Sequence, residues 1–331
     1  MLTPLVSFSS STALKEAIQN SDLKHTFDER LFEDLLARGL PPLVSPTVFA
    51  IILGISPKLI TAMGRNPGRY YRRFVIPKRG GGERTILAPR TFLKAVQYYI
   101  LRFILRDRPI SGFATGFVPG KGIVHNARLH AGAPFLLNVD LQDFFGSVRQ
   151  SQVRQVYGRL GFPPATADAL AQLCIFAGSL PQGAPTSPTL SNLVFAEIDE
   201  EIARLAARRR LTYSRYADDL SFSGLQPISK EVTSELGRLL STHGFRLNPT
   251  KTRFAGPGQA RYVTGLVVNV RAQLDRTGRR KLRAMFHRAE MEPTQFSARA
   301  KELMGWASYV KSFDFARGLR YMGIARSLPS D

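Results

Sequence analysis

The chain has 331 residues, 44% hydrophobic and 10% aromatic, enough for a sizeable core and more than one ordinary domain holds. Lys and Arg outnumber Asp and Glu 46 to 25, and a formal charge of +21 is the footprint of a protein that binds a phosphate backbone. A lone cysteine excludes an internal disulfide framework, no run approaches the ~18 apolar residues of a spanning helix, and MLTPLVSFSS lacks the basic start of a signal peptide, so a cytoplasmic chain without membrane contact is expected.

In chain order, residues 9–65 read as short helices, with apolar residues at helical spacing in LFEDLLARGL and a break at Pro41-Pro42. No chemistry attaches to them. YRRFVIPKRGGGERTILAP then predicts a basic β-hairpin around Gly80-Gly81-Gly82, followed by a helix over Phe92–Leu105. PFLLNVD is an apolar run ending in Asp140, the pattern of a buried strand that delivers a carboxylate to a sheet edge. Two helices follow, over 147–160 and 165–177. After Pro181-Gln182-Gly183 a long helix over 186–209 carries Leu190, Val194, Ile198 and Leu205 toward the core and ends in Arg208-Arg209-Arg210. LTYSRYADDLSFSG predicts two strands joined by a tight turn at Ala217-Asp218. A helix over 228–243 with Gly244 as its C-cap and a hairpin over 261–269 come next. From Arg271 onward the chain is helical and holds thirteen Lys and Arg against six Asp and Glu.

Asp140, Asp218 and Asp219 end or join predicted strands, so adjacent strands could bring them to one sheet edge. Clustered carboxylates repel one another, and a bound divalent cation is the natural compensation. Hard ions take carboxylate oxygens, and a pair of them suits nucleotidyl transfer. Taken alone, Asp-Asp in a turn is also ordinary turn chemistry.

The order of the segments adds to this: an acid strand, LPQGAPTSP opening a helix, YADDL, a helix, LNPTKT and YVTGL. That series, from about Tyr71 to Asn269, resembles the palm of reverse transcriptases. The resemblance implies an α+β right-hand polymerase, with fingers and an antiparallel-sheet palm packed on helices, and a small helical thumb. It divides the chain into an N-terminal helical region (1–65), fingers (66–133), palm (134–269) and thumb (270–331). It further implies that Asp140 and Asp218 bind two Mg2+ ions, with Mn2+ as a possible substitute, and that Asp219 assists. Gln182 and Gly183 would touch the incoming dNTP and the template, and Lys78 and Arg84 would hold the triphosphate. Phe145 falls where the family places an aromatic gate against the 2′-hydroxyl. Phe144 is left as the core residue, because neighbours on a strand face opposite ways. Lys251 matches the position that can protonate the leaving pyrophosphate, although a structural lysine fits there too.

The variant QGxxxSP, Gln182–Pro188, resembles bacterial retron and intron enzymes, and the roughly sixty residues after Asn269 are expected to hold a small thumb and little more, where intron enzymes normally continue into a maturase region. HNARLH contains the NAxxH pattern of retron enzymes, and Val263-Thr264-Gly265 matches their VTG box. By that resemblance the enzyme copies a cognate structured non-coding RNA into branched msDNA, relies on a host RNase H, and serves in anti-phage defence beside an effector or toxin protein. Asn126 and His130 would contact RNA, as would Arg279, Arg280, Lys281, Arg283 and Arg288 of the thumb. That spacing wraps charge around a helix, so some of it faces elsewhere. Leu303, Trp306, Tyr309 and Phe313 repeat at helical spacing as core. Alternatives left open are a catalytically idle or template-independent relative acting in abortive infection, an intron-like enzyme, and a generic metal nuclease.

Overall fold

The computed structural model describes residues 10–20, 27–77 and 81–329. Four short helices come first: α1 (Ser11–Gln19), α2 (Glu29–Ala37), α3 (Pro46–Leu53) and α4 (Pro57–Arg65). Each begins on a capping side chain, Ser10, Asp28, Ser45 or Ser56, whose oxygen accepts a first-turn N–H. β1 (Tyr71–Pro77) and β2 (Glu83–Pro89) form the expected hairpin, paired from Tyr71↔Pro89 to Pro77↔Glu83. Its β1 strand is exposed on both faces beyond Tyr71, so packing does not account for the residues there. α5 (Thr91–Ile100) runs on into a π-helical turn, Leu101–Leu105.

Next come α6 (Ile123–Leu129), β3 (Phe135–Asp140), α7 (Phe144–Ser147), α8 (Gln150–Leu160), α9 (Pro164–Cys174) and α10 (Ser187–Arg208). β4 (Thr212–Tyr216) and β5 (Asp219–Gly224) flank the expected Ala217-Asp218 turn and lead to α11 (Glu231–Thr242). β6 (Arg253–Ala255), which the sequence reading missed, precedes the short hairpin of β7 (Tyr262–Val263) and β8 (Leu266–Val267). Thr264 and Gly265 turn that hairpin with positive φ at both positions, 46° and 80°, the backbone that matches strand twist. The chain finishes on α12 (Arg276–Met291), α13 (Ala300–Phe313) and α14 (Phe315–Arg326).

These elements form two compact units, and the segment expected as palm contributes to both. The first comprises 1–112, 142–200 and 240–246. Within it the buried Gln97 amide donates to the Tyr71 hydroxyl at 2.8 Å and to the Leu173 carbonyl at 2.7 Å, joining α5, β1 and α9. Phe144, Phe195 and Phe245 form an aromatic cluster with centroids 5.0–6.1 Å apart.

The second unit comprises 113–141, 201–239 and 247–331 and holds an antiparallel sheet of order β4-β5-β3-β6. Val124 and Ala127 of α6 pack with Leu136, Val263, Leu266 and Val268 in one core cluster. A separate cluster joins α12, α13 and α14 through Leu282, Phe286, Leu303, Ala307, Val310 and Tyr321. Leu303 is core as expected, but Trp306 is 39% exposed, because Ala307 and Val310 supply the inward stripe of α13. No single helix among the described residues is long and apolar enough to cross a membrane.

Candidate active site

The sheet of the second unit gathers the three carboxylates. β3 and β5 run in register from Phe135↔Gly224 to Asp140↔Asp219, which makes two of the acids cross-strand neighbours. β4 and β5 pair up to Tyr216↔Asp219, so Asp218 sits in the two-residue turn between them. Ala217 takes φ 57° there, a conformation that costs a non-glycine residue about 1–2 kcal/mol. Two neighbours hold it in place. Arg215, fully buried, donates from Nη1 to the Ala217 carbonyl at 3.1 Å, and Gly116 lies so near that an added Cβ would stand 2.6 Å from the Ala217 nitrogen. The Asp140 carbonyl accepts from Asn248 N at 2.7 Å, and the Asp218 carbonyl accepts from Leu141 N at 2.9 Å.

The electrostatics of this sheet end are those of crowded acids. Asp219 is open to solvent, yet protein mass around its carboxyl, and then the charges of Asp218 and Asp140, push its pKa up to about 6, with Lys251 pulling the other way. Lys251 donates from Nζ to Asp140 Oδ2 at 2.7 Å, and that bond holds its ammonium above the ordinary lysine range. Among the described residues no three His, Cys, Asp or Glu side chains are already arranged to share one ion. Asp140 has an ammonium as its neighbour instead. The donor chemistry nonetheless fits divalent ions of the magnesium type: all three groups are hard carboxylates, and beyond the effect of burial the charges of Asp218 and Asp140 add to the rise at Asp219, a repulsion that added positive charge would relieve.

The residues expected around a nucleotide lie in the first unit. Arg84 is exposed on β2, and Lys78 lies outside the described residues. Gln182 and Gly183 follow Pro181, whose carbonyl accepts from Ser187 Oγ at 2.8 Å, and the Gln182 carbonyl accepts from Leu87 N at 2.8 Å, docking the LPQG segment on β2. Gly183 has φ 121°, and an added Cβ would meet Ile86 Cγ2 at 2.7 Å and the Leu87 carbonyl oxygen at 3.0 Å, so only glycine fits. Phe144 is buried, as expected, but for a different reason, and Phe145 is half-buried. Both sit on α7, a helical turn entered through Asp143 at φ 44°, where neighbours diverge by about 100° rather than facing opposite ways.

Asn126 and His130, expected to touch RNA, are 0% and 1% exposed and do not reach solvent. Asn126 lies on α6 and His130, four residues on, caps its C-terminus, and the hydroxyls of Thr115, Ser214 and Ser223 give the two side chains partners in the interior. The imidazole is held neutral, its pKa lowered by burial to about 4.

In the C-terminal helices, Arg280 and Arg283 of α12 and Arg317 and Arg320 of α14 line a cavity of about 770 Å³ with His287. Phe286, buried and stacked on Tyr321 at 3.9 Å between centroids, forms part of its wall. Arg279 is half-buried and donates to Gln273 Oε1 at 2.9 Å, while Lys281 and Arg288 are exposed and do not line the cavity. The expected cations thus fall on different sides of the helix. The sequence reading also missed Arg215 and Gly116, although the small hydroxyls alternating through Ser214, Ser221 and Ser223 and the paired glycines of GFATG were a signal for a crowded, polar strand face.

A family model described as reverse transcriptase (RNA-dependent DNA polymerase) matches residues 76–273. Among curated relatives, the chain is 34% identical to the retron Mx162 reverse transcriptase of Myxococcus xanthus, over 89% of this chain and 69% of that one. It is 38% identical to the retron Mx65 reverse transcriptase of the same organism, over 84% and 71% respectively. To the retron Ec86 reverse transcriptase of Escherichia coli it is 36% identical, over 74% and 77%.

Proposed function

Since the chain belongs to the retron-type reverse transcriptases and is an RNA-directed DNA polymerase, we propose that it copies a cognate structured non-coding RNA into branched msDNA by two-metal nucleotidyl transfer. The observation that supports the mechanism is the Asp140↔Asp219 register with Asp218 in the adjoining turn, three hard carboxylates at one sheet end. In this reading Asp140 and Asp218 hold both Mg2+ ions, with Mn2+ as a substitute, and Asp219 assists. The ions, when bound, supply charge neutralisation on the triphosphate and a more acidic primer hydroxyl. Lys78 and Arg84 hold the triphosphate, Gln182 and Gly183 contact the nucleotide and template, and Phe145 rejects the 2′-hydroxyl. Lys251, charged and within reach of Asp140, donates a proton to the leaving pyrophosphate.

The thumb grips RNA through phosphate contacts, with Arg280 and Arg283 on one cavity wall as the cations that support this, while Arg317 and Arg320 are paired with Asp314 and Glu290. Host RNase H trims the template, and the branched product serves anti-phage defence with an effector protein. The test of the polymerase mechanism is Asp218→Asn in primer extension on an RNA template: dNTP incorporation should be abolished while RNA binding persists. Incorporation near wild type would overturn the assignment.

A further inference from the structure

Asn126 and His130 are buried inside the second unit, yet their neighbours there are polar side chains. Along β5 alternate residues point to one face, so Asp219, Ser221 and Ser223 share a side, while Leu220 and Phe222 face the other way. The catalytic carboxylate and the hydroxyl that meets His130 therefore stand on the same face of the same strand. His130 Nδ1 lies 2.7 Å from Ser223 Oγ on β5, and its Nε2 lies 2.7 Å from Ser214 Oγ on β4. One imidazole thus bridges both strands of the hairpin whose turn holds Asp218.

The hydrogen-bond pattern has a direction. Ser214 donates its hydroxyl proton to Asn126 Oδ1 at 2.6 Å, so toward His130 it can only accept, which puts the imidazole proton on Nε2 and leaves Nδ1 to accept from Ser223. Thr115 Oγ1 donates to the same Asn126 Oδ1 at 2.9 Å and also reaches the Arg215 carbonyl at 2.8 Å, which Thr115 N meets at 2.8 Å as well. Arg215 in turn holds the strained Ala217 carbonyl, and Gly116, next to Thr115, backs the Ala217 nitrogen. The chain of contacts runs unbroken from α6 to the catalytic turn.

Such a cluster is an expensive way to stabilise a fold. The Asn126 Nδ2 donor is buried with no partner among the described residues, a loss of about 1–3 kcal/mol that an apolar side chain would avoid. What polar groups give in exchange is direction, since each bond fixes an angle as well as a distance.

We propose that Asn126 and His130 are positioning residues for the catalytic hairpin: through Thr115, Ser214 and Ser223 they fix the backbone that presents Asp218 and Asp219, and so set how tightly those carboxylates bind divalent metal. The proposal rests on the two-metal reading above. It replaces an RNA contact for this motif with a brace, and makes its loss a defect in metal binding.

The test uses the full chain without nucleic acid, with Mn2+ binding followed by electron paramagnetic resonance, beside thermal melting and affinity for a hairpin-primed RNA template. In folded His130→Leu and Ser214→Ala the Mn2+ midpoint should rise about tenfold, the lower end of what losing a partner behind a metal ligand costs, with RNA affinity unchanged. His130→Gln, which keeps a donor near the Nε2 position, should fall between wild type and His130→Leu. Because the His130 variants could fail to fold, Thr115→Val, which removes only the hydroxyl, and Thr115→Ser, which keeps it, provide a gentler pair: the first should weaken Mn2+ binding and the second should not. A wild-type Mn2+ midpoint in the folded variants refutes the brace, and so does loss of RNA affinity without change in that midpoint. Asp218→Asn serves as the control. If it too leaves Mn2+ binding intact, the two-metal reading itself fails and the proposal falls with it; if it abolishes binding while His130→Leu does not, only the brace fails.

Discussion

Gly183→Ala isolates how the LPQG segment is seated. The substitution meets two separate penalties. At φ 121° an L side chain is in backbone territory that costs about 1–3 kcal/mol. The new methyl also stands 2.7 Å from Ile86 Cγ2 and 3.0 Å from the Leu87 carbonyl oxygen. Ile86 can rotate, but the Leu87 backbone cannot retreat, since its N–H is bonded to the Gln182 carbonyl and its strand is paired with β1. Overpacking of this kind costs about 1–3 kcal/mol, so the total is about 2–6 kcal/mol, relieved only by parting LPQG from β2. Urea denaturation should report the loss of stability. Steady-state primer extension should show KM for dNTP raised about tenfold or more, since 1.4 kcal/mol of lost binding is already tenfold. A variant as stable as wild type, with unchanged KM, would refute the claim that backbone contact at Gly183 seats the segment.

Other substitutions probe the remaining roles. Phe145→Val should raise ribonucleotide incorporation, and an unchanged dNTP/rNTP preference in competition assays would remove the gate assignment. Lys251→Met should slow single-turnover incorporation about a hundredfold while sparing RNA binding, and a wild-type rate would confine Lys251 to its bond with Asp140. His130 predicts a pH dependence of stability. Its folded-state pKa of about 4 lies below the unfolded 6.5, so its contribution is complete above pH 6.5 and is lost as pH falls toward 4, at about 1.4 kcal/mol per unit. Between pH 7 and 5 that amounts to about 2 kcal/mol, which denaturation of His130→Leu should no longer show. The same slope in both proteins would contradict it.

Much of the candidate site was legible because its strands and turns rest on local signals. The Ala217-Asp218 turn, the Gly-rich hairpin and the strand ending in Asp140 each announce themselves by alternation and turn residues, and the register then follows. What was not legible depends on tertiary context. Spacing of four places Asn126 and His130 on one face of a helix but does not say whether that face is inside, and polar residues usually are not. Arg215 is buried against the usual behaviour of arginine, and its bond to Ala217 spans a turn whose strain is invisible in sequence. Three-residue β6 is too short for periodicity to reveal. The spacing of Trp306 suits an inward stripe that smaller residues, Ala307 and Val310, in fact supply.

If the proposed function holds, Asp218 supports synthesis of a branched DNA on the chain's own RNA. The direct measurement is to express the gene with its native upstream DNA, extract nucleic acid from cells carrying wild type or Asp218→Asn, and treat it with RNase or debranching enzyme. Wild type should yield an abundant short DNA whose mobility shifts after either treatment and which is missing in Asp218→Asn. A wild type that extends primers on RNA yet makes no such DNA, or an Asp218→Asn variant that still makes it, would overturn the assignment of branched-DNA synthesis to this chain.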